Sequence, residues 1–261
     1  MKYFDSHAHY YDERFGEECK VGVDNLIGAL LDSSVSHIIN VGTSPVTCLQ
    51  AIEQAKKYDG MYTALGIHPS DTRFLSDMDS ELSTVEKLIK DKSNKCVCLG
   101  EIGLDYHYPE TDKEKQLRYF EAQMQLAQTL DLPICIHDRD AHGDCLEVIK
   151  KYPNVKGIMH SFSGSGEMAR ELVSLGYYIS FSGTLTFTNA KKPKEAAAVV
   201  PKDLLLIETD CPYLAPHPLR GTLNHSGNLK YTNAVLASIL GISEEECAIL
   251  TANNAKRIFG L

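Results

Sequence analysis

Lys2-Tyr3-Phe4-Asp5-Ser6-His7-Ala8-His9 stands near the start of the chain as a strand-like run. Side chains of an extended segment alternate between faces, so Asp5, His7 and His9 are expected to point the same way. Two imidazoles two residues apart at a strand end can grip one metal ion, with Asp5 a pleat below to orient them. His-x-His pairs also occur on half-exposed strands with no ligand, so the rest of the chain must decide. Short β-branched runs recur at 2–8, 37–42, 61–67, 96–102, 132–137, 155–160, 177–182 and 203–209. Helix-like stretches at 23–33, 45–58, 83–91, 114–130, 143–151, 166–175 and 193–199 lie between them. Within 114–130, Leu117, Phe120, Met124, Ala127 and Leu130 recur at helical spacing, which marks one buried face. Two further helices, 229–240 and 243–259, follow the last strand, and Ser243 with Glu246 fits a capping box.

Strict strand–helix alternation implies parallel strands with helices outside. An open doubly wound sheet shares this rhythm with a closed barrel. Eight strands, and no glycine-rich phosphate loop after the first, favour an α/β fold of the TIM-like (β/α)8 type. The 261 residues suit such a barrel, which typically needs about 250. There is no repeat, low-complexity segment or linker, so 1–261 is expected to form a single barrel.

Composition narrows the function classes. The hydrophobic fraction of 43% and charged fraction of 23% are ordinary for a globular protein. No stretch approaches the roughly 20 apolar residues of a membrane span, and no signal-like segment precedes the first strand. The expectation is a cytoplasmic protein with no membrane partner and no obligate protein partner. None of the eight cysteines forms a C-x-x-C pair, so reduced, buried thiols are expected rather than disulfides or a structural zinc. A net charge of −9 argues against a broad basic nucleic-acid surface. It leaves room for a narrow site in which bound metals and a few arginines supply the positive charge.

Polar residues collect at one end of the strands. His7 and His9 end the first, Gly66-Ile67-His68-Pro69 the third and Gly100-Glu101-Ile102-Gly103-Leu104-Asp105 the fourth. His137 ends the fifth, His160 the sixth, and Glu208-Thr209-Asp210 the eighth. Each follows an apolar run, so all should gather at the C-terminal mouth of a parallel barrel, where barrel enzymes keep their chemistry. Scattered structural histidines have no reason to choose that end together. His7, His9, His137 and His160 with Glu101 and Asp210 form a plausible set for two divalent ions. Glu101, midway in strand order, is the natural bridge, with His7, His9 and Asp210 completing one site and His137 and His160 the other. Mixed nitrogen and oxygen donors suit zinc, manganese, cobalt or magnesium without choosing among them. Two ions about 3.5–4 Å apart can hold a scissile phosphate, activate a water and stabilise the leaving oxygen. Asp210 is placed to take the water's proton as general base.

Together these segments, with Ile136-His137-Asp138-Arg139-Asp140-Ala141, His160-Ser161-Phe162-Ser163-Gly164, Glu208-Thr209-Asp210-Cys211-Pro212-Tyr213-Leu214-Ala215-Pro216 and the closing Asn254-Ala255-Lys256-Arg257-Ile258-Phe259-Gly260, resemble the TatD family of metal-dependent deoxyribonucleases within the amidohydrolase-like superfamily. The resemblance spans the whole chain in the family's order. It implies a TIM-like barrel, a binuclear metal centre, and exonucleolytic hydrolysis of DNA phosphodiesters at strand ends. The ligands it carries over are His7, His9, Glu101, His137, His160 and Asp210. One stretch departs: Arg220, Gly221 and Asn224 are kept, but His225-Ser226-Gly227 stands where the family commonly has Glu-Pro. This loop is expected to flank the mouth and to bear on substrate choice.

His68, Arg139 and Arg220 are candidates for substrate contact. His68 either hydrogen-bonds a phosphate or shapes its loop. Arg139 either offers a planar fork to phosphate or pairs with Asp138 or Asp140. Asp105 and Glu208 read as supports for ligands, and Tyr106, Phe162 and Tyr213 as possible stacking partners for bases. His37 should be structural; His107, His142, His217 and His225 should be solvated. The main rival is a binuclear amidohydrolase-like enzyme acting on a small-molecule ester, amide or phosphoester. Many of these bridge their metals with a carboxylated lysine on strand four. Here Glu101 holds that place and Lys95 lies at the wrong end of the strand. A non-catalytic scaffold would have lost ligands, and all six are present.

Overall fold

All eight expected strands form, and they pair in chain order. The computed structural model describes residues 1–261. In it β1 (Tyr3–Ala8), β2 (Val35–Gly42), β3 (Met61–Leu65), β4 (Cys96–Asp105), β5 (Ile134–Arg139), β6 (Gly157–Met159), β7 (Tyr178–Phe181) and β8 (Leu205–Ile207) make one parallel sheet. The sheet curls back on itself just past β8. Asp210 N donates to His7 O at 2.9 Å, and His9 N donates to Cys211 O at 2.7 Å. The result is a nearly closed TIM-like barrel, stitched at its mouth by residues that also carry the polar cluster.

The helices are α1 (Glu13–Glu18), α2 (Val23–Ser33), α3 (Pro45–Ala55), α4 (Met78–Lys90), α5 (Lys113–Leu130), α6 (His142–Lys151), α7 (Gly166–Ser174), α8 (Lys191–Val199), α9 (Leu229–Leu240) and α10 (Glu244–Phe259). Two differ from expectation. The six residues of α1 are too few to show periodicity, and the helix rests on its Asp12 cap. α4 starts at Met78, well before residue 83, because Asp77 caps Ser80 N while its first turn is polar and shows no apolar rhythm. The capping box of α10 forms as expected: Ser243 N donates to Glu246 Oε2 at 2.9 Å and Glu246 N to Ser243 Oγ at 3.1 Å.

Apolar side chains pack in two layers. Phe4, Ile39, Val41, Ala64, Cys98, Cys135, Ile158, Tyr178 and Leu206 come from all eight strands and fill the barrel together with Ala252, Ala255 and Phe259 of α10. The larger layer lies between sheet and helices and includes Leu99, Ile102, Ile136, Met159 and Ile207 with Phe120, Met124, Val148 and Leu172. His37 stacks on Phe4 at 5.0 Å, a structural place. The cysteines are all free thiols, six of them buried. No helix is long and apolar enough to cross a membrane.

Candidate metal centre and its two grooves

Two breaks in register aim the polar residues. Between Asp5 and Ala8 the pairing of β1 with β2 slips, so strict alternation fails across Ser6 and His7. Asp5 therefore does not orient the two imidazoles, contrary to expectation. It turns to the chain leaving β8, accepting from Thr209 N at 2.9 Å and Thr209 Oγ1 at 2.6 Å. Burial pushes the Asp5 carboxyl up to about 6, against the lowering effect of those hydrogen bonds. Between Leu99 and Ile102 the pairing of β4 with β5 slips as well. Leu99 and Ile102 both face the helices, which frees Glu101 to point into the mouth.

Glu101 is the centre of what gathers there. Its Oε2 lies 3.3 Å from His7 Nε2 and 3.7 Å from His9 Nε2. Its Oε1 lies 2.8 Å from His137 Nδ1, 3.0 Å from His160 Nε2 and 3.5 Å from His68 Nε2. Asp210 joins the first half, with Oδ1 3.3 Å from His9 Nε2 and 3.8 Å from His7 Nε2. It does so from the left-handed region, φ 56°, a conformation Asp tolerates better than most residues and one that recurs at functional sites. All six expected ligands, and His68, thus meet in one cluster.

The outer contacts of the rings decide what they present inward. His9 Nδ1 faces Val41 O at 2.8 Å, and a carbonyl can only accept, so the proton sits on Nδ1 and Nε2 offers a lone pair. His160 Nδ1 donates to Glu208 Oε1 at 2.9 Å, which likewise leaves Nε2 bare. His137 Nε2 donates to Asp105 Oδ2 at 3.2 Å, leaving the Nδ1 lone pair toward Glu101. Three lone pairs facing two carboxylates repel unless a cation stands between them, so this donor set fits divalent metal. Asp105 and Glu208 do hold imidazoles of the cluster, those of His137 and His160, and Glu208 also accepts from Ser161 N at 2.7 Å.

His68 is different in kind. Ser70 N donates to its Nδ1 at 3.1 Å, so its proton lies on Nε2 and it meets the cluster as a hydrogen-bond donor. Cys135, which sequence reasoning passed over as a small hydrophobe, lies 3.3 Å from His7 Nδ1. Its strand spacing from His137 was the available signal.

The cluster's carboxylates favour positive charge on His137 and His160. Burial opposes it, yet hydrogen bonds to Asp105 and Glu101 push the His137 imidazole up to about 9. His160 is also raised, burial being outweighed by Glu101 and Glu208. Burial disfavours the Glu101 anion, but His160, His68 and His7 hold its carboxyl well below the usual range. Asp210 is lowered too, against burial, by the hydrogen bond from His9.

Two grooves reach this cluster from opposite sides and share His137, Arg139, His160, Asp210 and Leu214. One, about 650 Å³, runs to Phe187, Asn189, Lys191 and Lys192 at the start of α8. The other, about 680 Å³, carries Tyr11, Tyr108, Tyr213, Asp12 and Asp71. Of the three aromatics expected near bases, only Tyr213 lines a groove. Tyr106 donates to Asp144 at 2.8 Å, and Phe162 is buried against Phe181. Arg139 takes neither expected ion pair. Asp138 is held by His142 at 2.8 Å and Asp140 by His107 at 3.1 Å, so those two histidines are engaged rather than merely solvated. Arg220 does not line either groove; its guanidinium lies 4.0 Å from the ring centroid of Phe187, which does.

The departing loop is a correction. His225 is half-buried, burial lowers its pKa, and its Nδ1 accepts from Gly227 N at 3.2 Å. Ser226 is fully buried, its Oγ 2.7 Å from Tyr10 OH. These residues pack behind the wall rather than flanking the mouth. Lys95 is likewise distant from the cluster: it precedes β4, and its Nζ donates to Tyr58 O at 2.7 Å beyond the end of α3.

Comparison with known proteins agrees with this geometry. A family model described as TatD related DNase matches residues 4–260. The metal-dependent hydrolase YabD of Bacillus subtilis is 40% identical, over 98% of each chain. The metal-dependent hydrolase YcfH of Escherichia coli K12 is 34% identical, over 98% of this chain and 94% of its own. Among solved structures, the TatD homolog YJJV of Escherichia coli K12 superposes with a TM-score of 0.90 at 28% identity, over 99% of this chain and 98% of its own.

Proposed function

Because the chain belongs to the TatD-related DNase family and is a metal-dependent hydrolase, we propose that it hydrolyses phosphodiesters at the ends of single-stranded DNA on a two-metal centre. The observation that carries this reading is the split of Glu101, one oxygen toward His7 and His9 and the other toward His137 and His160. His7, His9 and Asp210 with Glu101 Oε2 would hold one ion; His137 Nδ1 and His160 Nε2 with Glu101 Oε1 would hold the other. Bound there, divalent ions would offset the charge of the phosphoryl oxygens and lower the pKa of water.

The chain's own groups account for the remainder. Asp210, whose Oδ1 stands 3.3 Å from His9 Nε2 at the edge of the cluster, accepts the proton of the attacking water as the new P–O bond forms. The bond to the leaving sugar oxygen breaks on the opposite side, that oxygen takes up a proton from solvent water, and Asp210 returns its proton to solvent. His68 Nε2–H donates to a non-bridging phosphoryl oxygen, and exposed Arg139 offers its planar fork at the rim. Asp105 and Glu208 keep the rings of His137 and His160 in place.

The test is nucleotide release from end-labelled single-stranded DNA by chelator-stripped protein reconstituted with Mg2+, Mn2+, Co2+ or Zn2+. Release that requires both metal and Glu101, lost in Glu101→Ala, supports the reading. Silence with every metal, despite two ions bound per chain, would instead favour the hydrolase of a small-molecule ester, amide or phosphoester.

A further inference from the structure

The two grooves differ in charge although they share one centre. Around the α8 groove stand Arg139, Lys191 and Lys192. Apart from Asp210, its only carboxylate is Asp138, already engaged by His142 at 2.8 Å. α8 also begins without a side-chain cap and without an acidic residue in its first turn. Arg220, stacked on Phe187, adds a fourth cation at that rim. The opposite groove has no lysine. Beyond the cluster it carries Asp12 and Asp71, which repel phosphate, and three tyrosines, of which Tyr108 and Tyr213 are each 44% exposed. Arg139 lies at the junction, its guanidinium 5.8 Å from the ring of Tyr108.

A polynucleotide is a string of anions whose end carries a flat, uncharged base. We infer that the strand crosses the mouth in one sense only, its terminal nucleoside among Tyr11, Tyr108 and Tyr213 and its continuing phosphates along Lys191 and Lys192. This rests on the nuclease reading above and adds the direction in which the substrate lies. Cutting at the cluster then releases what sits in the tyrosine groove, one terminal nucleotide at a time. Stacking in that groove tolerates any base, since each has a π-face.

The experiment compares metal-loaded wild type with Lys191→Glu/Lys192→Glu and a charge-matched control, Lys2→Glu/Lys202→Glu, at the opposite ends of the strands. Each is given a dinucleotide and a 10-mer, and kcat/KM is measured on both. The advantage of the 10-mer over the dinucleotide should fall tenfold or more in the α8 variant and persist in the control. An abasic site at the terminal nucleoside should slow wild-type release about tenfold, within the range for loss of one stacked base; the same lesion four positions inward should matter less. Fluorescence anisotropy with a cleavage-resistant phosphorothioate 10-mer reads the groove apart from the chemistry. Equal loss in both lysine variants, or a penalty greater for the internal lesion, overturns the assignment. Tight, Lys191- and Lys192-dependent binding without cleavage of any DNA would preserve the groove and sink the nuclease reading. No binding by wild type would sink both.

Discussion

Three imidazoles at the mouth, His9, His137 and His160, are polarised from behind by a carbonyl or a carboxylate, and each turns a bare nitrogen toward Glu101 or Asp210. Removing such an outer partner typically costs about 10–100-fold in metal affinity. Glu208→Ala should therefore weaken metal binding by about that factor while the fold persists, as a competition titration would measure; unchanged affinity would refute the role. Glu101→Ala should be harsher, since it removes an oxygen from each half of the cluster. Turnover should vanish, and elemental analysis should find fewer ions per chain. Titration of His137 adds a sign. Burial opposes its protonation, but Asp105 and Glu101 hold its pKa at about 9 in the metal-free protein, above the ordinary histidine value. At neutral pH an incoming ion must displace that proton, so affinity should rise as pH climbs toward 9. Calorimetry in buffers of different ionisation enthalpy should show proton release on binding.

At the scale of elements, the departures from regular strand geometry are what build the site. The slip in β1 separates Asp5 from His7, and the slip in β4 turns Glu101 inward. Just beyond Glu101, Gly103 has φ 134° and lies against His137 O, paired with His137 across the sheet. A Cβ there would collide with that backbone in a conformation L-residues avoid. Gly103→Ala should cost about 2–4 kcal/mol in urea unfolding and displace the His137 ring, lowering activity beyond the loss of folded protein. An ordinary midpoint with full activity would show that β5 can yield.

For the whole molecule, the net charge of −9 and the one basic groove bear on salt dependence. Arg139, Lys191 and Lys192 line the phosphate path and Arg220 stands at its rim, so few counterions can be released on binding. The log–log slope of affinity for single-stranded DNA against salt should be no steeper than about −3. A slope typical of six or more phosphate contacts would point to a longer track than the α8 groove.

Much of this was open to inference from the chain alone, and the reason is local. Strand–helix alternation is written in hydrophobic periodicity, and a residue at the end of an apolar run must emerge at the barrel mouth whatever its neighbours are. His7, His9, Glu101, His137, His160 and Asp210 were legible because each occupies such an end. Asp5 was misplaced because a register slip depends on the partner strand, and a single strand's sequence carries no trace of it. Tyr11, Tyr108 and Cys135 escaped notice because their importance comes from what stands opposite them across the barrel. The loop at His225-Ser226-Gly227 looked like part of the mouth, yet Ser226 turns to Tyr10, a contact 216 residues apart in sequence. The division of the mouth into a basic and a tyrosine-lined groove likewise exists only once Lys191 and Lys192 are brought to one side and Tyr11, Tyr108 and Tyr213 to the other. Periodicity and strand-end chemistry act within one segment, whereas facing, register and charge separation are properties of segments meeting, and those were decided by tertiary structure alone.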